Sequence, residues 1–155
     1  MSSFSYDFSD FDDFAARMQK SPEIVGQELK TGVDRTTMTG EGFTKENTPV
    51  ATGHLRRSIS FKPATYGGGI ARGSWGTVTP YARPVEEGRR GFSAGPGKVL
   101  AFKPKGSDRV IFRKRVGPAA GAFMFKKAML RIRPVHRREM DGAIKRIIAR
   151  LGGAT

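Results

Sequence analysis

The sequence predicts an α+β fold: an antiparallel sheet of about four strands, made of two hairpins, packed with N-terminal and C-terminal helices. Three observations predict it. Apolar residues recur at helical spacing near each end of the chain, from Phe4 to Val33 and from Met140 to Leu151. Between these ends, from Leu55 to Phe112, they alternate or gather in short runs. Gly and Pro punctuate those runs at Gly67-Gly68-Gly69, Gly95-Pro96-Gly97 and Gly117-Pro118.

Taken in order, Phe4, Phe8, Phe11, Phe14 and Met18 are spaced by four, three, three and four residues, one face of a helix. Ser9 or Asp10 would cap it, its early acids suit the helix dipole, and it would run to about Lys20. Ser21-Pro22-Glu23 opens a second helix through Ile24, Val25, Leu29 and Val33, ending near Thr36 to Thr39. Residues 40–49 are polar and read as a flexible linker within the domain. Pro49 pushes Thr48 toward extended geometry, and Gly53 permits a turn that other residues resist. Leu55, Arg57, Ile59 and Phe61 would then share one face of a strand, with Arg56, Ser58 and Ser60 on the other. Pro63 and the triple glycine mark a turn into a returning strand over Ile70 to Thr79, which holds the single Trp, Trp75.

Tyr81 to Gly88 reads as a short turn or helical piece, and residues 88–98, rich in Gly, Arg and Pro, as a long exposed loop. Val99 to Phe102 and Val110 to Phe112 form a second hairpin around Lys105-Gly106-Ser107-Asp108. Gly117-Pro118 ends the last strand, and Ala119 to Ile132 reads as a helix. Pro134 starts a final helix with Met140, Ile144, Ile147, Ile148 and Leu151 at helical spacing, stopped by Gly152-Gly153. Its apolar stripe would pack on the sheet and leave Arg137, Arg138, Lys145, Arg146 and Arg150 outward.

At 155 residues the chain is read as one domain, 1–155, with a real core. It has no Cys, which excludes a disulfide framework and a thiolate zinc site. No apolar run approaches a membrane span, and the acidic start is the opposite of a basic signal peptide, so a cytoplasm-like compartment is expected. The net charge of +14 is uneven. Residues 1–47 hold nine acidic and five basic side chains, net −4, while the rest holds 23 basic and five acidic, net +18. That asymmetry suits a polyanionic partner, or docking of the acidic start of one copy on the basic body of another.

Thr48-Pro-Val-Ala-Thr-Gly-His-Leu-Arg-Arg-Ser-Ile resembles the Pro-Val-Asp-Thr-Gly-x-Leu-Arg-x-Ser-Ile signature of the neck or tail-completion (head-tail joining) proteins of long-tailed bacteriophages, with Ala51 in place of the usual Asp. Tyr81-Ala82-Arg83-Pro84-Val85-Glu86-Glu87-Gly88 resembles the Tyr-Ala, acid and Gly that follow in that family, and Phe123-Met124-Phe125 resembles the opening of its C-terminal helical part. The resemblance implies structural roles for Pro49, Thr52, Gly53, Leu55, Arg56, Ser58, Tyr81, Glu87 and Gly88. It also implies a homo-oligomeric ring of about six or twelve copies at the head-tail interface of the virion, assembled in the host cytoplasm. Its neighbours would be head-completion, stopper or tail-terminator proteins.

Chemistry is sparse. His54 and His136 are too few for a His-rich metal site, and His54 beside Ser58 lacks the Gly-x-Ser-x-Gly elbow of a nucleophile. Gly95-Pro96-Gly97-Lys98 lacks the Lys-Ser/Thr ending of a phosphate loop and reads as a loop tip. Glu86-Glu87 has no third carboxylate at an obvious spacing for metal-assisted nuclease work. The expectation is therefore a non-enzyme without cofactor or metal. Arg89, Arg90, Phe92 and Lys98 in the exposed loop, and Arg137, Arg138, Arg146 and Arg150 on the last helix, are the expected interaction residues. The alternative is a basic nucleic-acid-binding module, suggested by the charge and by Phe92, Phe102 and Phe112 among Arg and Lys. A ring threaded by DNA would also offer non-specific contact with packaged DNA.

Overall fold

The computed structural model describes Ala16, residues 19–104 and residues 106–152. The expected Phe4 to Met18 stripe, with its helix and cap, Lys105 of the second hairpin turn and Gly153 of the terminal glycine pair lie outside the described residues. The fold is α+β, with long helices toward both ends and short antiparallel strand pairs between them. It divides into two compact units. One takes in the described residues up to Gly40, Phe61–Trp75 and the chain from Arg131 onward, and the other holds Glu41–Ser60 and Gly76–Leu130.

α1 (Ser21–Asn47), which belongs to the first unit as far as Gly40, begins where Ser21-Pro22-Glu23 predicts. It does not end at Thr36 to Thr39, and the expected 40–49 linker is helix as far as Asn47. Glycine inside a helix costs about 1 kcal/mol against alanine, so Gly40 and Gly42 weaken this part of α1 on propensity alone. Packing reverses the argument at Gly40: a methyl built there would lie 2.9 Å from the indole ring of Trp75, so this position has room only for hydrogen. Thr36 and Thr37 are buried on the same helix, their hydroxyls donating to the carbonyls of Gly32 and Val33 at 2.9 and 3.1 Å.

β1 (Ser60–Gly67) and β2 (Ile70–Gly76) form the first hairpin, with Pro63 inside β1 rather than in the turn. Gly68 and Gly69 turn the chain with φ of 58° and 77°, which suits a two-residue hairpin loop whose twist matches the strands. The backbone N–H of Ala64 donates to the Asp34 carboxylate at 2.5 Å, tying the hairpin to α1.

The last helix, α4 (Met124–Gly152), is continuous, where two helices broken at Pro134 were expected. A proline inside a helix removes one donor and costs about 3 kcal/mol. Here Ile132 and Ala143 are buried on either side of it, and packing at both places holds the helix through the defect. The stripe is also corrected. Ala143 is fully buried and Met140 packs toward Gly32, while Ile144 and Ile148 are 50% and 62% exposed.

The second unit replaces the expected Leu55 to Phe61 strand with a helical turn, α2 (His54–Ser58), and strand geometry starts only at Ser60. Leu55 and Ile59 are both buried, and a separation of four fits helix and strand alike, so periodicity over so short a stretch could not choose. Gly53 has φ 77°, the left-handed entry that its position suggested. α3 (Ala82–Glu87) is the expected short helical piece.

Beyond α3 the chain makes one nested antiparallel arm. β3 (Gly88–Arg89) pairs with β8 (Ala119–Ala120), β4 (Phe92–Ser93) with β7 (Arg115–Val116), and β5 (Leu100–Phe102) with β6 (Ile111–Arg113). The expected hairpin at 99–112 is its outer part. The 88–98 segment, expected as a loop, supplies two of its strands, and Ala119-Ala120, expected in a helix, closes its base. Among the described residues the expected four-stranded sheet is thus four separate two-stranded ones, since turn-rich stretches pair locally where no long strand offers a wider ladder.

Candidate assembly interface

The three motif segments, distant in sequence, meet in the second unit. Leu55, Ala82 and Met124 form its buried cluster, with Val85 and Phe125 packed against it. The Thr48 hydroxyl, buried at the end of α1, lies 2.7 Å from the Thr44 carbonyl and 3.3 Å from the sulfur of Met124. Ser58, Thr77 and Thr79 close a ring of hydroxyls at 2.7, 3.0 and 2.7 Å. His54 Nδ1 is 3.0 Å from the Tyr81 hydroxyl. Ser58 and His54 therefore have different partners and form no nucleophile pair. The Thr52 side chain accepts the N–H of His54 at 3.4 Å, and Pro49 and Arg56 are exposed beside it.

The acidic pair resolves into two unrelated roles. Glu86 accepts the backbone N–H groups of Phe125 and Lys126, both at 3.0 Å, capping α4 where the helix dipole favours a negative charge. Its carbonyl accepts the N–H of Phe123 at 3.1 Å, and that of Val85 accepts Ala122 at 2.8 Å. Phe123 has φ 52°, a strained value for a side-chain-bearing residue that these bonds hold in place. Glu87 pairs at 3.0 Å with Arg83, both largely exposed, a contact of small energetic weight. Among the described residues no three His, Cys, Asp or Glu gather as metal ligands.

Gly88 is the root of the arm. Its φ is 85°, and a methyl there would lie 2.6 Å from the Ala119 carbonyl oxygen, so the two limbs can cross only over a glycine. On the outgoing limb, residues 94–99 stand opposite Lys114 alone, and the excess is taken up by a turn in which Lys98 N–H donates to the Gly95 carbonyl at 3.0 Å. Pro96 and left-handed Gly97 suit the middle of that turn, which explains the resemblance to a phosphate cradle.

The arm, residues 88–120, carries nine basic side chains and one acid, net +8. That acid, Asp108, is held 2.9 Å from Lys103. Of the expected interaction residues, Arg89 lies over the Phe92 ring at 5.2 Å, and Arg90 and Lys98 are exposed. An open cleft of about 590 Å³ lies between Arg89, Phe92, Leu100, Phe102 and Val116.

On α4 the expected cations separate into two groups. Arg137 and Arg138 line an open groove with Arg133 and Lys145. Arg146 and Arg150 instead bind Glu28 of α1, at 2.6 and 3.1 Å, with Arg146 half-buried and Arg150 still exposed. The Arg146 guanidinium holds the Glu28 carboxyl below its ordinary value against the opposing effect of burial, with Arg150 adding to it. Sequence reasoning missed Glu28 and the cap role of Glu86. Only the helix start ahead of Phe125 hinted at a capping acid, and nothing in the sequence pointed to Glu28.

Residues 12–88 match the family model described as "Bacteriophage HK97-gp10, putative tail-component". Over that region the chain belongs to the HK97-gp10-like family. No curated protein and no solved structure matches it. As an HK97-gp10-like protein it is a structural protein of the phage tail type, and such a component is part of the virion. The match ends at Gly88, so the HK97-gp10-like region supplies two of the three motif segments and the root of the arm. Among the described residues no helix is long and apolar enough to cross a membrane.

Proposed function

We propose that this chain is a non-catalytic subunit of a homo-oligomeric ring of about six or twelve copies in the phage neck, where it completes the tail or joins head to tail. Its neighbours on this reading are head-completion, stopper or tail-terminator proteins, and it works without cofactor or metal. The observation that carries the reading is the arm. Motif residues build a rigid root at Gly88, and from it extends a two-stranded ribbon too thin to bury its own apolar side chains. Exposed large apolar residues elsewhere, Val78 at 95% among them, also favour a subunit completed by contacts with others. The groove of Arg133, Arg137, Arg138 and Lys145 supports a secondary contact with packaged DNA or an acidic collar protein.

The test follows from the register. Ser93 pairs with Arg115, so replacing residues 94–114 by Asn-Gly closes β4 and β7 with a two-residue turn. The shortened protein should fold with unchanged helix content, and infected cells should accumulate free heads and tails in place of joined particles. Normal numbers of joined particles would refute the joining role.

A further inference from the structure

The arm has an apolar face that the described residues leave exposed. Phe92 pairs across the ribbon with Val116, and Leu100 and Phe102 lie on alternate positions of β5, so these four side chains line one cleft. Phe92, Val99, Phe102, Val110 and Phe112 are between 41% and 63% exposed. A two-stranded ribbon is marginal in water unless a third element covers it. With net +8, two arms would repel each other, so the cover must be both apolar and acidic.

The chain itself holds one segment of that kind. Among the described acids, Glu28, Glu41, Glu86, Glu87, Asp108 and Glu139 already have partners. Residues 4–14, by contrast, combine Phe4, Phe8, Phe11 and Phe14 with four aspartates and contain no basic residue. We infer that the arm of one subunit receives residues 4–14 of a neighbouring copy, whose phenylalanines fill the cleft at Phe92, Leu100, Phe102 and Val116 while its aspartates meet Arg89 and Arg113. The inference rests on the ring reading. A donor segment and an acceptor arm on the same chain make a head-to-tail contact, the kind that closes into a ring when the rotation permits.

The chain has no cysteine, which allows a direct test on the full-length protein. Phe11→Cys together with Phe102→Cys should give a ladder of disulfide-linked oligomers under mild oxidation, weaker as salt is raised. Each single variant should stay unlinked. Phe11→Cys with Ser93→Cys, on the opposite face of the ribbon, should also stay unlinked. If Phe102→Cys disturbs folding, Leu100→Cys replaces it in the same cleft. A cross-link confined within one chain would overturn the assignment to a second copy. Absence of the cross-link in both folded variants would overturn the docking. If retention on duplex DNA was then lost on replacing Arg113, Lys114 and Arg115 by Gln, the arm would be a DNA contact instead. Native mass measurement of the unmodified chain separates the two ideas: rings without the cross-link sink the inference alone, and a cross-linked ladder from a chain that never closes into rings sinks the ring reading.

Discussion

Glu28 carries a pH dependence at the scale of one residue. Its carboxylate is mostly buried, and Arg146 and Arg150 keep its folded pKa below the unfolded value. The stability this confers is present above the unfolded pKa and is lost as pH falls through the folded one. Glu28→Gln should therefore cost about 1 kcal/mol near neutral pH, less than a fully buried charged pair because both guanidinium groups are partly solvated. Urea unfolding should show the gap between wild type and variant closing in acid. A gap independent of pH would show that the loss is one of packing. Nothing in the sequence marked Glu28 as special, because its partners lie more than a hundred residues away.

Helix α1 shows how packing overrides propensity at the scale of an element. On an isolated helix Gly40→Ala would stabilise by about 1 kcal/mol. The indole of Trp75 leaves no space for the methyl, and overpacking of this kind costs about 1–3 kcal/mol. The melting temperature should fall by about 2–4 °C per kcal/mol of net loss, with a shift in Trp75 fluorescence. A rise would mean that the ring yields and that propensity decides. The sequence placed the start of α1 correctly from Ser21-Pro22-Glu23 and missed its end for the same reason: a cap is local chemistry, whereas Gly40 and Trp75 meet only after folding.

For the whole molecule the charge of α4 is the quantity to test. Arg133, Arg137, Arg138 and Lys145 line a groove and should serve the assembled particle, whereas Arg146 and Arg150 hold Glu28 and should serve the fold. Replacing the first four by Gln should leave stability within about 0.5 kcal/mol, and joined particles should become fewer and more sensitive to salt. Arg146→Gln with Arg150→Gln should lower stability instead. An unchanged particle count across salt concentrations in the first variant would reduce the groove charge to a solubility feature.

The sequence by itself determined the α+β class, the helix start at Ser21, the left-handed entry at Gly53, the turn at Gly68-Gly69, the short helix before Gly88 and the outer hairpin. Each depends on chemistry within a few neighbouring residues: a cap, a glycine at positive φ, an alternation bounded by turn formers. It also carried the motif residues that place the chain among phage tail proteins. Tertiary structure alone decided the rest. Leu55 entered a helical turn because Ala82 and Met124 offered a core there. The 88–98 stretch became half of an arm because residues 115–120 returned to pair with it. Arg146 turned from surface cation to structural partner because Glu28 faced it. In each case the deciding partner is remote in sequence, and no local pattern of spacing or propensity encodes which distant residue will arrive.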